Sequence, residues 1–228
     1  MKKTNCETCK AQFEYVPVTL GGKELFPRRY CDTCTASAIA NSEAQEREIK
    51  RRERESEWER VCAPSYRMTD PQHPSLAQAA LRMCIAWDGP RGIGLMGDTG
   101  VGKTRCLFLA LRRAFDAGKP VEFVSHNAFS RIAATAYSGD GNEKKDALNS
   151  IKRFSSVAVL LLDDLGKAPS TERADAEMEE LIEHRTSHGL PILWSANGYG
   201  EWISARFGKD RGPAFVRRLA EFSDCINL

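Results

Sequence analysis

Residues 97–104 read Gly-Asp-Thr-Gly-Val-Gly-Lys-Thr, a spacing that suits the grip of a phosphate chain. Gly97, Gly100 and Gly102 let successive backbone N–H groups converge on phosphate oxygens, with Asp98, Thr99 and Val101 completing the loop. Lys103 is placed to reach the terminal phosphates, and Thr104 to offer a hydroxyl to Mg²⁺. The apolar run Ile93-Gly94-Leu95-Met96 before the loop reads as a strand, and the stretch to Ala117 after it as a helix. A helix start behind such a loop favours negative charge, so the context argues against a mere Gly-rich turn with a solvated lysine. The expected ligand is a nucleoside triphosphate.

A second acidic site lies about sixty residues on. Val157–Leu162 is an unbroken apolar run, as in a strand buried on both faces of a parallel sheet, and it ends in Asp163-Asp164. Carboxylates at that end of a strand sit where open α/β sheets bind ligands. Asp163 is expected to hold Mg²⁺ beside Thr104, and Asp164 to polarise an attacking water. The next apolar run, Ile192-Leu193-Trp194-Ser195, ends at Ala196-Asn197-Gly198. There Asn197 is either a turn residue or an amide reaching the γ-phosphate and the water. Near the C-terminus, Arg206, Lys209, Arg211, Arg217 and Arg218 alternate with Phe207, Phe215 and Phe222. One guanidinium among them could stabilise a transferring phosphoryl group, including that of a neighbouring chain.

Four of the eight cysteines form two knuckles, Cys6-x-x-Cys9 and Cys31-x-x-Cys34, with twenty-one residues between them. That spacing suits one tetrahedral Zn²⁺, and four thiolates leave it no open position, so the ion is expected to be structural. The intervening Phe13, Tyr15, Val16, Val18 and Leu20, the Gly21-Gly22 pair, then Leu25, Phe26 and Tyr30 predict a β-hairpin with the knuckles at its open end. So small a unit depends on its metal for stability. Redox dithiols or unrelated thiols are the other readings. Cys62, Cys84, Cys106 and Cys225 have no partner spacing and are expected to be ordinary buried or half-buried thiols.

The elements that must position these groups follow from pattern. Glu43–Arg60 holds seven acids and six bases without Gly or Pro, set for pairs such as Glu43–Arg47, Glu46–Lys50 and Glu48–Arg52. It predicts a solvated helical connector. Pro64, Pro71 and Pro74 then mark an irregular entry into the main domain. Beyond it, helices are predicted over Ser75–Trp87, Lys103–Ala117, Asn127–Tyr137, Glu143–Arg153 and Thr171–Ser187. Strands are predicted over 93–96, 121–125, 157–162 and 192–195, and the remainder as mostly helical. Alternation of this kind predicts an α/β fold, a parallel sheet with helices on both faces. The division expected is a zinc-binding module over 1–36, a linker over 37–61 and an ATPase core over 62–228. The 228 residues carry a net charge of only +2, so any nucleic-acid contact must be local. No run approaches a membrane span and the N-terminus lacks a secretory signal, which predicts a cytoplasmic protein with reduced cysteines and no membrane contact.

Gly97–Thr104, Leu160-Leu161-Leu162-Asp163-Asp164-Leu165-Gly166, Ser195-Ala196-Asn197 and Phe215-Val216-Arg217-Arg218-Leu219 follow one another in an order that resembles the AAA+ ATPases of the DnaC/DnaI helicase-loader type, with IstB as a close cousin. The resemblance runs from about Cys62 to Leu228, and Pro64–Pro71 looks like the entry of phage-type loaders. It implies a P-loop NTPase core that binds ATP with Mg²⁺. Gly97–Thr104 would be the Walker A loop, Asp163 the Mg²⁺ ligand, Asp164 the catalytic carboxylate, Asn197 the sensor and Arg218 the arginine finger, with Arg211 or Arg217 as alternatives. Asp164 stands where most AAA+ ATPases have Glu, one methylene longer, and the chain stops soon after the Arg-bearing helix, which predicts no helical lid domain. The implied partners are a replicative DNA helicase, gripped by the zinc module, single-stranded DNA and further copies of the chain, in a bacterial or phage-infected cytosol. Hydrolysis would be slow and stimulated by DNA or a partner. The competing readings are a transposition helper ATPase of the IstB kind, a nucleotide-gated DNA adaptor and a small-molecule P-loop kinase.

Overall fold

The computed structural model describes residues 1–67, 69–74, 76–169 and 171–228. Met68, within the loader-like Pro64–Pro71 segment, and Ser75, where a helix is expected to start, lie outside the described residues. The chain divides into two compact units, Met1–Glu57 and Trp58–Leu228.

The first unit contains two small antiparallel pairs. β1 (Lys2–Asn5) pairs with β2 (Gln12–Tyr15), and β3 (Val18–Leu20) with β4 (Lys23–Leu25). The Gly21-Gly22 turn is present, with both glycines at positive φ (57° and 78°), where a side chain would strain the backbone. A single hairpin was too simple an expectation: the first knuckle closes the β1–β2 turn, and the second sits at the start of α1 (Asp32–Val61). Helix α1 therefore begins well before the charged run. Within it Glu48 accepts from Arg52 at 2.7 Å, as its spacing predicts, and also from Arg51 at 2.8 Å. Those two guanidiniums, Arg51 foremost, hold the half-buried Glu48 carboxyl down to about 2.

The second unit contains the last turn of α1, α2 (Pro64–Arg67), α3 (Gln78–Ala86), β5 (Gly92–Met96), α4 (Lys103–Asp116), β6 (Val121–Ser125), α5 (His126–Ser138), α6 (Gly141–Ser156), β7 (Val159–Leu165), α7 (Glu172–Ser187), β8 (Ile192–Ala196), α8 (Gly200–Arg206), α9 (Gly212–Phe222) and β9 (Ser223–Asn227). The five strands form one parallel sheet in the order β6-β7-β8-β5-β9. β5 lies between β8 and β9 and runs parallel to both, so the loop after β5 opens at the same edge of the sheet as the C-terminal ends of β7 and β8.

Two apolar cores cover the sheet's faces. Leu95, Leu161 and Leu193 pack with Trp58, Leu107, Phe108, Leu111 and Phe115. Leu160, Leu162 and Trp194 pack with Phe129, Phe154, Met178, Ile182, Ile203 and Phe215. Leu160, Leu161 and Leu162 thus alternate between the cores, which is why that run carries no polar face. Each such side chain adds about 1.5–3 kcal/mol by leaving water.

Several elements differ from expectation. Helix α6 runs on to Ser156, so β7 starts at Val159 and continues through the two aspartates to Leu165. The buried Arg185 explains the extension: its Nη1 donates to the carbonyls of Phe154 (2.7 Å) and Val157 (2.9 Å), satisfying the helix end. Helix α3 starts at Gln78, because Ala77 is extended and donates its N–H to Val101 O at 3.3 Å. The largest miss is β9, a strand inside a stretch expected to be helical. It docks because Gly94 leaves room for the Trp194 ring, which a Cβ there would meet at 2.3 Å, and Trp194 Nε1 crosses β5 to donate to Ser223 Oγ at 3.0 Å. Arg91 adds a 2.8 Å bond to Asp224. On this edge strand Cys225 is exposed, whereas Cys62, Cys84 and Cys106 are buried as expected.

Candidate functional site

The loop from Gly97 to Gly102 leaves β5 and enters α4 with Gly97, Gly100 and Gly102 all at positive φ. Gly102 (φ 81°) is the residue immediately before α4, so the turn delivers Lys103 and Thr104 as that helix's first two residues. Lys103 is 6 % exposed, and its Nζ donates to the loop's own carbonyls, Gly97 O at 2.9 Å and Asp98 O at 2.7 Å. Desolvation lowers its pKa, while Asp164, Asp163 and Asp98 favour the charged form.

Thr104 Oγ1 donates to Asp163 Oδ1 at 2.8 Å, bringing the phosphate loop and the acidic strand end into one hydrogen-bonded unit. Ser195 Oγ donates to the same oxygen at 2.5 Å and accepts the Asp164 N–H at 3.0 Å. Burial raises the Asp163 pKa, opposed by the bonds from Ser195 and Thr104. The sequence presents Ser195 as a strand end and as part of the Ser195-Ala196-Asn197 motif, with no role of its own in the site. Its signal was a lone hydroxyl in a buried apolar strand beside the acidic one.

Asp164 lies at φ 57°, a left-handed conformation costly for a non-glycine residue, where the pairing of β7 with β8 slips between Leu162 and Leu165. The slip puts Asp163 and Asp164 into different surroundings: Asp163 is buried among hydroxyls, and Asp164 Oδ1 pairs with Lys167 Nζ at 2.8 Å. Asp163, Asp164, Thr99, Gly100, Gly102, Lys103, Thr104 and Asn197 line one cavity of about 260 Å³. Tyr66, Arg105 and Lys167 line it too and were missed by sequence reasoning. Tyr66 follows an irregular Pro-rich entry, and Arg105 and Lys167 looked like ordinary surface charge.

The turn after Asp164 is fastened from several sides. His126 is buried and its Nδ1 accepts the Gly166 N–H at 2.9 Å, so that nitrogen is unprotonated. Burial drives the imidazole pKa down to about 4. Arg206 donates to Gly166 O at 2.7 Å and Ala168 O at 2.8 Å. The Trp202 ring covers Gly166 and Gly198, where added Cβ atoms would approach it to 2.5 and 2.6 Å. One helix, α8, therefore braces both the Asp164–Ala168 turn and the loop carrying Asn197.

Arg218 does not reach this cavity. It sits on α9, its Nη1 3.2 Å from Glu183, with Arg217 beside it in a separate groove between α7 and α9. Arg211 lies 3.8 Å from Glu172. In the first unit the sulfurs of Cys6, Cys9, Cys31 and Cys34 all lie within 4.8 Å of one another. Cys9 Sγ and Cys31 Sγ are 3.7 Å apart, close to the roughly 3.8 Å edge of a tetrahedron with Zn–S bonds of about 2.3 Å. Within the cluster, backbone N–H groups of Cys31, Cys9 and Thr8 draw the Cys6 thiol down to about 6, while hydrogen bonding to Cys31, Cys9 and Cys6 pushes the Cys34 thiol up to about 12. The oxygens of Thr104 and Asp163 are the hard donors that suit Mg²⁺.

The sequence pattern described as IstB-like ATP binding protein matches residues 59–227. A curated relative, an ATP-binding protein of insertion sequence IS21 from Pseudomonas aeruginosa, is 27 % identical over 134 residues, 59 % of this chain and 49 % of the relative. The chain thus spans about half the length of that protein. Among solved structures, the DnaC helicase loader superposes with a TM-score of 0.59 at 16 % identity, over 73 % of this chain and 99 % of that one. DnaA from Aquifex aeolicus, bound to AMPPCP, gives 0.53 at 20 % identity over 66 % of this chain and 44 % of that one. At these identities the likeness is one of fold, that of a P-loop NTPase core; in this chain a four-cysteine cluster precedes the core.

Proposed function

The chain belongs to the IstB-like ATP-binding protein family, and from that premise we propose that it is an ATP-dependent DNA-replication protein, a replicative helicase loader that binds single-stranded DNA and hydrolyses ATP. The observation that carries the ATPase reading is the direct bond from Thr104 to Asp163, with Asp164 lining the same cavity. Lys103, whose ammonium rests on two loop carbonyls, moves to the terminal phosphates when ATP enters. Thr104 and Asp163 would hold Mg²⁺, which would supply charge neutralisation at the phosphate oxygens. Asp164 accepts the proton of the attacking water, and Asn197 orients that water against the γ-phosphate. Arg218 serves the nucleotide of a neighbouring chain, in keeping with its distance from the cavity of its own.

In this reading residues 1–36 form a zinc module that grips the helicase, 37–61 a linker and 62–228 the ATPase core. A core fold shared with the DnaC helicase loader, together with a separate cysteine unit, favours loading. The family and the IS21 relative favour the second reading, a transposition helper ATPase. The experiment that separates them mixes the full chain with the replicative helicase of the same genome and, in parallel, with a transposase. A stable complex with the helicase, lost when Met1–Glu57 are deleted, supports loading. Association with the transposase alone turns the assignment to transposition. ATP turnover that moves the γ-phosphate to a small acceptor instead of water would contradict both.

A further inference from the structure

Three cations line the phosphate cavity, and two have fixed positions. Lys103 is held by the carbonyls of Gly97 and Asp98. Arg105 lies with its guanidinium carbon 5.9 Å from the centre of the Tyr66 ring. Lys167 differs, because its partner in the cavity is the carboxylate of Asp164 itself, at 2.8 Å. The two side chains are 37 % and 33 % exposed, so the ion pair faces the space that a phosphate would fill. The backbone beneath Lys167 is held on both sides by His126, Arg206 and the Trp202 ring. Its N–H also donates to Asp164 O at 3.1 Å. Only the side chain is left to respond to a ligand.

We infer that Lys167 reads the γ-phosphate and sets a preference for ATP over ADP. This rests on the reading of the cavity as an ATP site. Without a triphosphate the ammonium stays on Asp164 and keeps that carboxylate from a water molecule. A terminal phosphate carries about two negative charges at neutral pH against the single charge of Asp164, so the ammonium transfers to it when ATP is present. Asp164 is freed by the same movement. Hydrolysis and loss of the γ-phosphate return Lys167 to the carboxylate. ADP, ending one phosphate short, gives Lys167 nothing to exchange for Asp164.

The test is equilibrium binding of Mg²⁺-ATP and Mg²⁺-ADP to the full chain, its Lys167→Ala and Lys167→Arg variants, and Lys103→Ala. A charge-assisted hydrogen bond lost at the γ-phosphate corresponds to about a tenfold loss or more of ATP affinity. Lys167→Ala should show that loss while its ADP affinity stays within about twofold, which also reports a folded site. Lys167→Arg, keeping the charge, should retain most of the preference. An unchanged ATP-to-ADP ratio in Lys167→Ala overturns the proposal, as does an equal loss for both nucleotides or a parent chain with no preference for ATP. If Lys103→Ala binds as tightly as the parent, the phosphate-loop reading itself fails, a result distinct from failure at Lys167 alone.

Discussion

Asp163 and Asp164 are adjacent, yet the backbone gives them different surroundings. Asp163 sits among the hydroxyls of Thr104 and Ser195, whereas Asp164 is turned out by its left-handed φ toward Lys167. Asp164→Asn should therefore keep Mg²⁺-ATP binding and lose turnover by about a hundredfold or more, the scale of a lost general base; single-turnover hydrolysis beside equilibrium binding checks it. The sequence showed the two carboxylates, and the strand pattern put them at a sheet's ligand-binding edge. It could not show the slip in register that separates their surroundings, nor the partners Ser195 and Lys167, because these depend on how the chain folds around the end of β7. His126 is a residue whose importance only burial reveals. Its pKa is depressed from 6.5 to about 4 by desolvation. The folded state thus resists a proton that the unfolded chain accepts, so this stability is intact above pH 6.5 and is lost as pH falls toward about 4. Thermal unfolding across that window should show a steep acid loss in the parent and a shallower one in His126→Asn.

At the scale of elements, helix α8 ties together two loops of the proposed ATP site through Trp202 and Arg206. Trp202→Ala should lower turnover through misplacement of Asp164 and Asn197 while nucleotide binding persists, since Lys103 and its loop lie outside that contact. Gly198→Ala tests the same packing from the other side, because its new Cβ would come within 2.6 Å of the indole. It should displace Asn197 and reduce turnover similarly; parent-like rates in both variants would remove α8 from the account. The long elements were legible through the alternation of apolar runs and helical periodicity, and the structure adds that Ser125 and Thr171 cap α5 and α7 by accepting the N–H groups of Ala128 and Ala174. β9 was not legible. Ser223–Asn227 alternates weakly, and its place is made by Gly94, Trp194 and Arg91 from distant parts of the chain. The two-hairpin layout around the cysteines was hidden for a related reason: four thiols converging on one point organise that unit more than its strand propensities do.

At the scale of the whole molecule, the chain joins a four-cysteine unit to an apolar-cored P-loop NTPase unit. The proposed zinc should appear in elemental analysis at about one per chain. Strong chelation should unfold Met1–Glu57 and leave the thermal transition of Trp58–Leu228 in place, because the two stability sources are independent. Assembly is tested by mixing Arg218→Ala chains with Lys103→Ala chains, each inactive alone. Sites formed from one intact pocket and one intact finger should restore part of the activity; none returning despite co-assembly would remove Arg218 from catalysis in trans. Among the described residues no helix is long and apolar enough to cross a membrane, and the near-neutral charge makes any DNA contact local and salt-sensitive. The central claim, a DNA-responsive ATPase built on Lys103, Thr104, Asp163 and Asp164, is tested most directly by steady-state release of phosphate from ATP with and without single-stranded DNA. The parent chain should release phosphate slowly, faster with DNA at low salt, and Lys103→Ala should neither bind ATP nor release phosphate. Equal rates from the parent and Lys103→Ala would contradict it.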